Sequence, residues 1–304
     1  MKSSDFKIIS ISLSAVVIFF TIYFFRDLPL NLINVNIETL AKTFLTCYHI
    51  FNIILSLIIT GIFIFYFWKK DDKDLKLRFK SIGIGLAVLG VYFLLPYFQS
   101  LPFIIFGVST VAIPLAFKIV YLISFSILTM CIIMLIYNKK ISSDYEDLKK
   151  NHSKYFSKYL KYWLICLFVM MVSNLLINLF SPNSIASNEQ AIRETFNISP
   201  FYIFFEAVIF APIVEELVFR LSFKKIFNKK WLFVILSGLV FGAMHVFNDF
   251  NSLFDLLYII PYSTPGIAFA LMLEDSDNAL VPIGFHFLHN GILISLQFVI
   301  LLFR

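Results

Sequence analysis

Charge is the scarcest property of this sequence. Only 14% of its 304 residues are Asp, Glu, Lys or Arg, against 60% hydrophobic residues, whereas soluble domains run at about 25% charged and about 45–50% apolar. That balance excludes a water-soluble fold. Cysteine is scarce too. Cys47, Cys131 and Cys166 all lie inside apolar runs with no C-x-x-C spacing, which argues for packing residues and against a redox or zinc-ribbon site. There is no internal repeat, no low-complexity segment and no nucleic-acid signature, because the basic residues stand in short blocks between apolar runs instead of along one face. What is abundant is aromatic: 38 Phe and 14 Tyr, at home against acyl chains and between packed transmembrane helices. The first apolar run, Ile8 to Phe25, follows Lys2 and Lys7 but lacks a small-x-small cleavage site, so a retained anchor is expected.

A helix needs about 20 apolar residues to cross the hydrocarbon core. On that ruler the chain is an all-α, polytopic transmembrane bundle of about 8–9 spans, near 8–25, 44–68, 82–105, 114–137, 161–180, 201–220, 231–247, 253–273 and 280–303. Between Ser81 and Tyr137 the only charge is Lys118, and two helices or three would fit. Basic loops decide for two. Lys69, Lys70, Lys73, Lys76, Arg78 and Lys80 form one loop, and Lys139, Lys140, Lys149, Lys150, Lys154, Lys158 and Lys161 the next. The positive-inside rule puts both in the cytoplasm, and with them the N-terminus of a multi-pass cell-membrane protein. Residues 138–158 and the polar stretch Ser181 to Pro200 are expected as loops. The latter separates residues 1–180, transmembrane helices of unassigned role, from a catalytic core over 200–304.

Within the spans, ionisable groups are concentrated in the C-terminal half, and each needs a partner, a water-filled cavity or a function. Glu206, His49 and Asp255 are each satisfied by a structural reading: a hydrogen bond between helices, a place near an interface, a helix start. Glu215 and Glu216 are different. Neighbours on a helix point about 100° apart; Glu216 shares a face with Arg220 at i, i+4 as an ion pair, which leaves Glu215 without a partner on its own helix. The next span carries Phe241-x-x-x-His245 and the last His286-x-x-x-Asn290. With a reversal near Asn228 to Lys230, Glu215 and His245 differ in depth by only about 4–5 Å. Pro261, Pro265 and Gly266 are expected to kink the eighth span and open a lateral path for substrate.

Glu215-Glu216-x-x-x-Arg220, Phe241-x-x-x-His245 and His286-x-x-x-Asn290, in this order, resemble the three motifs of the CAAX prenyl endopeptidase and bacteriocin-processing (CPBP, or Abi) family of intramembrane proteases. The resemblance covers roughly residues 200–295. One departure is Leu221, where the family commonly has Gly; another is His289, an additional imidazole that competes with His286 but has no Asn four residues on. The resemblance implies an intramembrane endopeptidase whose active site lies between C-terminal helices. Glu215 activates a water that His245 helps to hold, and His286 and Asn290 stabilise the oxyanion, without an obligatory metal. Glu216, Arg220 and Phe241 complete the motifs. Glu215, His245 and His286 also compose a two-His, one-carboxylate zinc shell, although H-E-x-x-H is absent. No cofactor is expected on the glutamic reading; zinc is the alternative. The partners are the lipid bilayer and a peptide or protein substrate entering from it. A Lys-, Ile- and Asn-rich composition points to an AT-rich bacterial genome and to peptide maturation, secretion or bacteriocin self-immunity. The rival readings are a non-catalytic scaffold or immunity protein that keeps the fold, and a secondary transporter, which would show repeat symmetry between halves.

Overall fold

The computed structural model describes residues 3–24, 42–68, 73–108, 113–180, 185–247 and 253–303, and among them every regular element is helical. Among the described residues, seven helices are long and apolar enough to cross a membrane. In chain order the elements are α1 (Ser3–Phe24), α2 (Lys42–Trp68), α3 (Lys73–Ile105), α4 (Leu115–Ile136), α5 (Asn138–Phe180) and α6 (Ser187–Ile198). A composite rod, α7, follows over 200–226; then come α8 (Lys230–Phe247), a 3₁₀ segment (Leu253–Tyr258) leading into α9 (Ile259–Ser276), and α10 (Leu280–Leu302). The chain is therefore an all-α polytopic membrane protein. The ambiguous stretch after Ser81 holds two helices among the described residues, α3 and α4, as the basic blocks require. Lys69 and Lys70 of the first block lie outside the described residues.

The polypeptide divides into two compact units, residues 1–125 with 225–228 and residues 126–224 with 229–304. In the first, α2 packs on α1 and α3. Its core is aromatic: Phe93 meets Phe19 and Phe20 with ring centroids 5.8 Å apart in both pairs. His49, read as structural, packs edge-on against Tyr97 at 5.6 Å. Arg78 donates to the Ile226 carbonyl at 2.9 Å, which fastens the short 225–228 segment to this unit.

The second unit carries the polar residues of interest. Its longest element departs from the sequence expectation, because residues 138–158 are helix and not loop. They contain neither Pro nor Gly, and the charges that suggested a loop pair along the helix or with the α9–α10 turn. Lys140 reaches Asp144 at 2.9 Å, and Asn278 donates to the Asp144 carbonyl and to Asp147, each at 2.8 Å. The backbone N–H of Ala279 donates to Asp144 Oδ2 at 2.8 Å, and Lys158 meets Asp275 at 2.7 Å. At 1.5 Å per residue, the 43 residues of α5 extend about 64 Å, twice the hydrocarbon core of about 30 Å, so its polar half projects beyond the membrane.

The polar stretch before Pro200 is likewise not all loop. α6 is amphipathic: Phe196 and Ile192 pack with Ile203, Val208 and Ile294, while Arg193–Glu189 and Gln190–Glu194 pairs, both at 2.8 Å, line its polar side. The short length and high polarity that suggested a loop describe a helix buried along one stripe.

α8 and α9 form the closest helix pair of this unit, and small residues are the reason. A Cβ on Gly266 would stand 2.8 Å from the Gly238 Cα, and one on Gly242 would stand 2.7 Å from the Ser263 nitrogen. Gly238-x-x-x-Gly242 thus lets two backbones touch, the arrangement small residues permit between membrane helices. Helix α9 runs through Pro265 without interruption; the irregular segment lies earlier, at the 3₁₀ turn. Gly266, read as part of a kink, serves this close approach.

Candidate active site

Glu215 and Glu216 straddle a change of helix type. α7 is α-helical over Pro200–Ile203, Ala211–Glu215 and Ser222–Ile226, but π-helical over Phe204–Phe210 and Glu216–Leu221. π segments inside α-helices are rare and concentrate at functional sites. Here the two carboxylates, about 100° apart on a regular helix, both turn toward the imidazole of His286 on α10. Nδ1 of His286 is 2.8 Å from Glu216 Oε1, and Nε2 is 3.9 Å from Glu215 Oε2. The first is a hydrogen bond. The second is too long for one and leaves space between the groups.

Glu216 also faces Arg220 at 3.1 Å, and neither side chain has any exposed surface. The pair is held by charge more than by aligned hydrogen bonds, since no guanidinium nitrogen has an acceptor in hydrogen-bond geometry. The guanidinium is seated on aromatic faces instead, 4.1 Å from the centre of Phe241 and 5.9 Å from that of Phe269. Cation–π attraction is worth about 2 kcal/mol or more when water is excluded. Phe241 of the second motif is thus the floor under the arginine of the first. Phe269, which composition alone did not single out, also stacks on His286 at 5.0 Å and 27°.

His245 on α8 hydrogen-bonds through Nδ1 to the Phe241 carbonyl at 2.8 Å. A carbonyl can only accept, so Nδ1 carries the proton and Nε2 of the neutral ring is an acceptor. Tyr262 on α9 stacks on this ring at 5.0 Å and 22°; it stands within the Pro261–Pro265 stretch, whose prolines drew attention away from it. Asn290, one turn beyond His286, donates from Nδ2 to the Ala207 carbonyl at 2.7 Å. This carbonyl is in a π segment, where the ordinary i→i−4 ladder is displaced. One amide hydrogen is thereby used, and the second remains.

Glu215, Phe241, His245, His286, His289 and Asn290 all line one cavity of about 730 Å³. Glu216 and Arg220 do not; they stand behind His286 and Phe241. His289 is buried, 5% exposed, and its Nδ1 has no hydrogen-bond partner. Among the described residues, no three His, Cys, Asp or Glu side chains are grouped so as to hold a metal ion, and Nδ1 is engaged in both His245 and His286.

Fold and site together define a class: a multi-pass helical membrane protein with a carboxylate–imidazole cavity lined by residues of α5 to α10. Comparison with known proteins agrees. Residues 197–292 match the family described as Type II CAAX prenyl endopeptidase Rce1-like. The chain is 27% identical over 227 residues to the membrane-embedded CAAX protease MroQ of Staphylococcus aureus (strain USA300), a match spanning 71% of this chain and 87% of that protein. No solved structure matches. These two matches support a membrane protease of the CPBP type, and the matched segment contains all three polar motifs.

Proposed function

We propose that this protein is an intramembrane endopeptidase that hydrolyses a peptide bond of a membrane-associated substrate with a water activated by Glu215. The observation that carries the reading is the disposition of Glu215, His245 and His286 around a single cavity, with one imidazole placed between two carboxylates. A water between Glu215 and His245 donates one hydrogen to the carboxylate and the other to Nε2, which aims its lone pair at the substrate carbonyl. As the C–O bond forms, the proton passes to Glu215. His286 donates to the developing oxyanion from Nε2 when it carries both ring protons, since Nδ1–H is given to Glu216; the free amide hydrogen of Asn290 is a second donor. Collapse of the tetrahedral intermediate breaks the C–N bond, and Glu215 returns its proton to the leaving nitrogen. The products are a carboxylic acid and an amine.

Basic clusters at the start of α3 and in the first half of α5 support a cytoplasmic N-terminus. A bacterial origin, with a role in peptide maturation, secretion or self-immunity, fits the composition. The Staphylococcus aureus relative, a membrane-embedded CAAX protease, supports the reaction class. The test is reconstitution of the full chain in lipid vesicles with a peptide library retaining basic and acidic residues, followed by mass spectrometry of new termini. New termini that persist in EDTA support the glutamic reading. Loss on chelation with recovery by Zn²⁺ supports the zinc shell, and no new termini above protein-free vesicles refutes the enzyme.

A further inference from the structure

A second carboxylate opens into the same cavity and has no part in the chemistry above. Glu206 lies nine residues before Glu215, toward the Pro200 end of α7, and lines the cavity. Its hydrogen bond comes from the Ser126 hydroxyl at 2.6 Å, to Oε1. That donor is neutral, and among the described residues no Lys or Arg is paired with Glu206. Arg193 also lines the cavity but is committed to Glu189 at 2.8 Å. Glu189, Glu206 and Glu215 thus face a cavity to which Arg193 alone contributes a guanidinium among the described residues.

Two further polar atoms of this cavity are buried without partners: Oε1 of Gln297, which can only accept, and Nδ1 of His289. Gln297 is on α10, eleven residues beyond His286. The chemistry end and the acceptor end are therefore separated by about 13 Å along α7 and about 16 Å along α10. A peptide bound in extended form covers either distance in about four or five residues.

We propose that Glu206, with Gln297, forms a specificity subsite for a Lys or Arg side chain of the substrate, about four or five residues from the bond cleaved at Glu215 and on the side nearer the Pro200 end of α7. A donor-rich cationic side chain satisfies both acceptors and supplies the charge that Ser126 cannot. Arg and Lys bring only donors, whereas an acidic or amide-oxygen side chain would add acceptors to acceptors.

This inference rests on the proteolytic reading, and its test separates the two. Wild type, Glu206→Gln and Glu215→Gln proteins in vesicles are each given the same unbiased peptide library, and cleavage products are sequenced by mass spectrometry. The expected wild-type profile is enriched in Lys and Arg at the fourth or fifth position on one side of the cut. Glu206→Gln, which keeps the shape and the acceptor for Ser126, should still cleave, with that enrichment reduced about tenfold, as expected for loss of one charge-assisted hydrogen bond. A wild-type profile with no basic preference overturns the subsite while leaving the protease standing, and so does an unchanged profile in Glu206→Gln. Glu206 would then be a neutral hydrogen-bonding group between helices. Absence of cleavage by wild type beyond that of Glu215→Gln overturns both.

Discussion

His286 stands between two carboxylates that are adjacent in the chain: its Nδ1 is 2.8 Å from Glu216 and its Nε2 3.9 Å from Glu215. The π segment that begins at Glu216 makes this possible. It divides the two glutamates by function, one holding the ring from behind and the other facing the cavity.

The buried Glu216–Arg220 pair should behave differently when broken and when replaced. Arg220→Met alone leaves the Glu216 carboxylate buried without its cation and is expected to cost about 3–5 kcal/mol. Glu216→Met with Arg220→Met should recover most of that loss, because apolar side chains of similar volume replace a buried ion pair at little cost. Activity should stay low in the double variant, since His286 has lost its Nδ1 acceptor. Thermal unfolding in detergent and peptide cleavage, measured on the same preparations, check the two halves of this expectation.

Glycines should divide sharply by neighbourhood. Gly266→Ala drives a Cβ to within 2.8 Å of the Gly238 backbone, so α8 and α9 must separate, at about 1–3 kcal/mol or more. Gly61→Ala in α2 meets nothing within 4 Å and should be neutral or stabilising by up to about 1 kcal/mol. Unfolding temperatures of the two variants provide the comparison.

Outside the membrane, the α9–α10 turn is tied to the projecting half of α5. Burial of Asp277 opposes its ionisation, but hydrogen bonding and charge from Lys224, at 2.8 Å, and from Lys140 outweigh it and hold the carboxyl below the ordinary carboxylate range. A depressed folded value contributes stability that is present above the unfolded value and is lost as pH falls through the folded one. Wild type should therefore lose part of its stability on acidification below about pH 4, and Asp277→Asn should flatten that part of the curve. Asp277 is well exposed, so the effect is expected to be under about 1 kcal/mol. Asn278→Ala removes two donors from Asp144 and Asp147 and should cost more, about 1–3 kcal/mol. Unfolding followed across pH for the three proteins tests both.

The helical bundle and the divisions between spans were legible because lipid imposes one simple requirement, an apolar length, and basic loops impose another. The Glu216–Arg220 pair was legible from i, i+4 spacing. The polar half of α5 was not, because its partners, Asn278 and the Ala279 N–H, are more than a hundred residues away and convert a hydrophilic sequence into a docked helix. α6 was missed because one stripe of Ile192 and Phe196 is a weak signal in a mostly polar helix of 12 residues. The π segments, and with them the convergence of Glu215 and Glu216 on one imidazole, leave no mark in spacing arguments that assume 3.6 residues per turn. Gly238-x-x-x-Gly242 was not read as a packing motif, because its pairing with Ser263 and Gly266 is set by the tertiary fold.

The proposed reaction depends on Glu215 as the base, and the most direct measurement is the cleavage rate of Glu215→Gln against wild type, in the same vesicles, with matched protein amounts and matched unfolding temperatures. The predicted result is a loss of at least about 100-fold with the fold unchanged, the scale of a missing general base. Equal rates for the two proteins would contradict it.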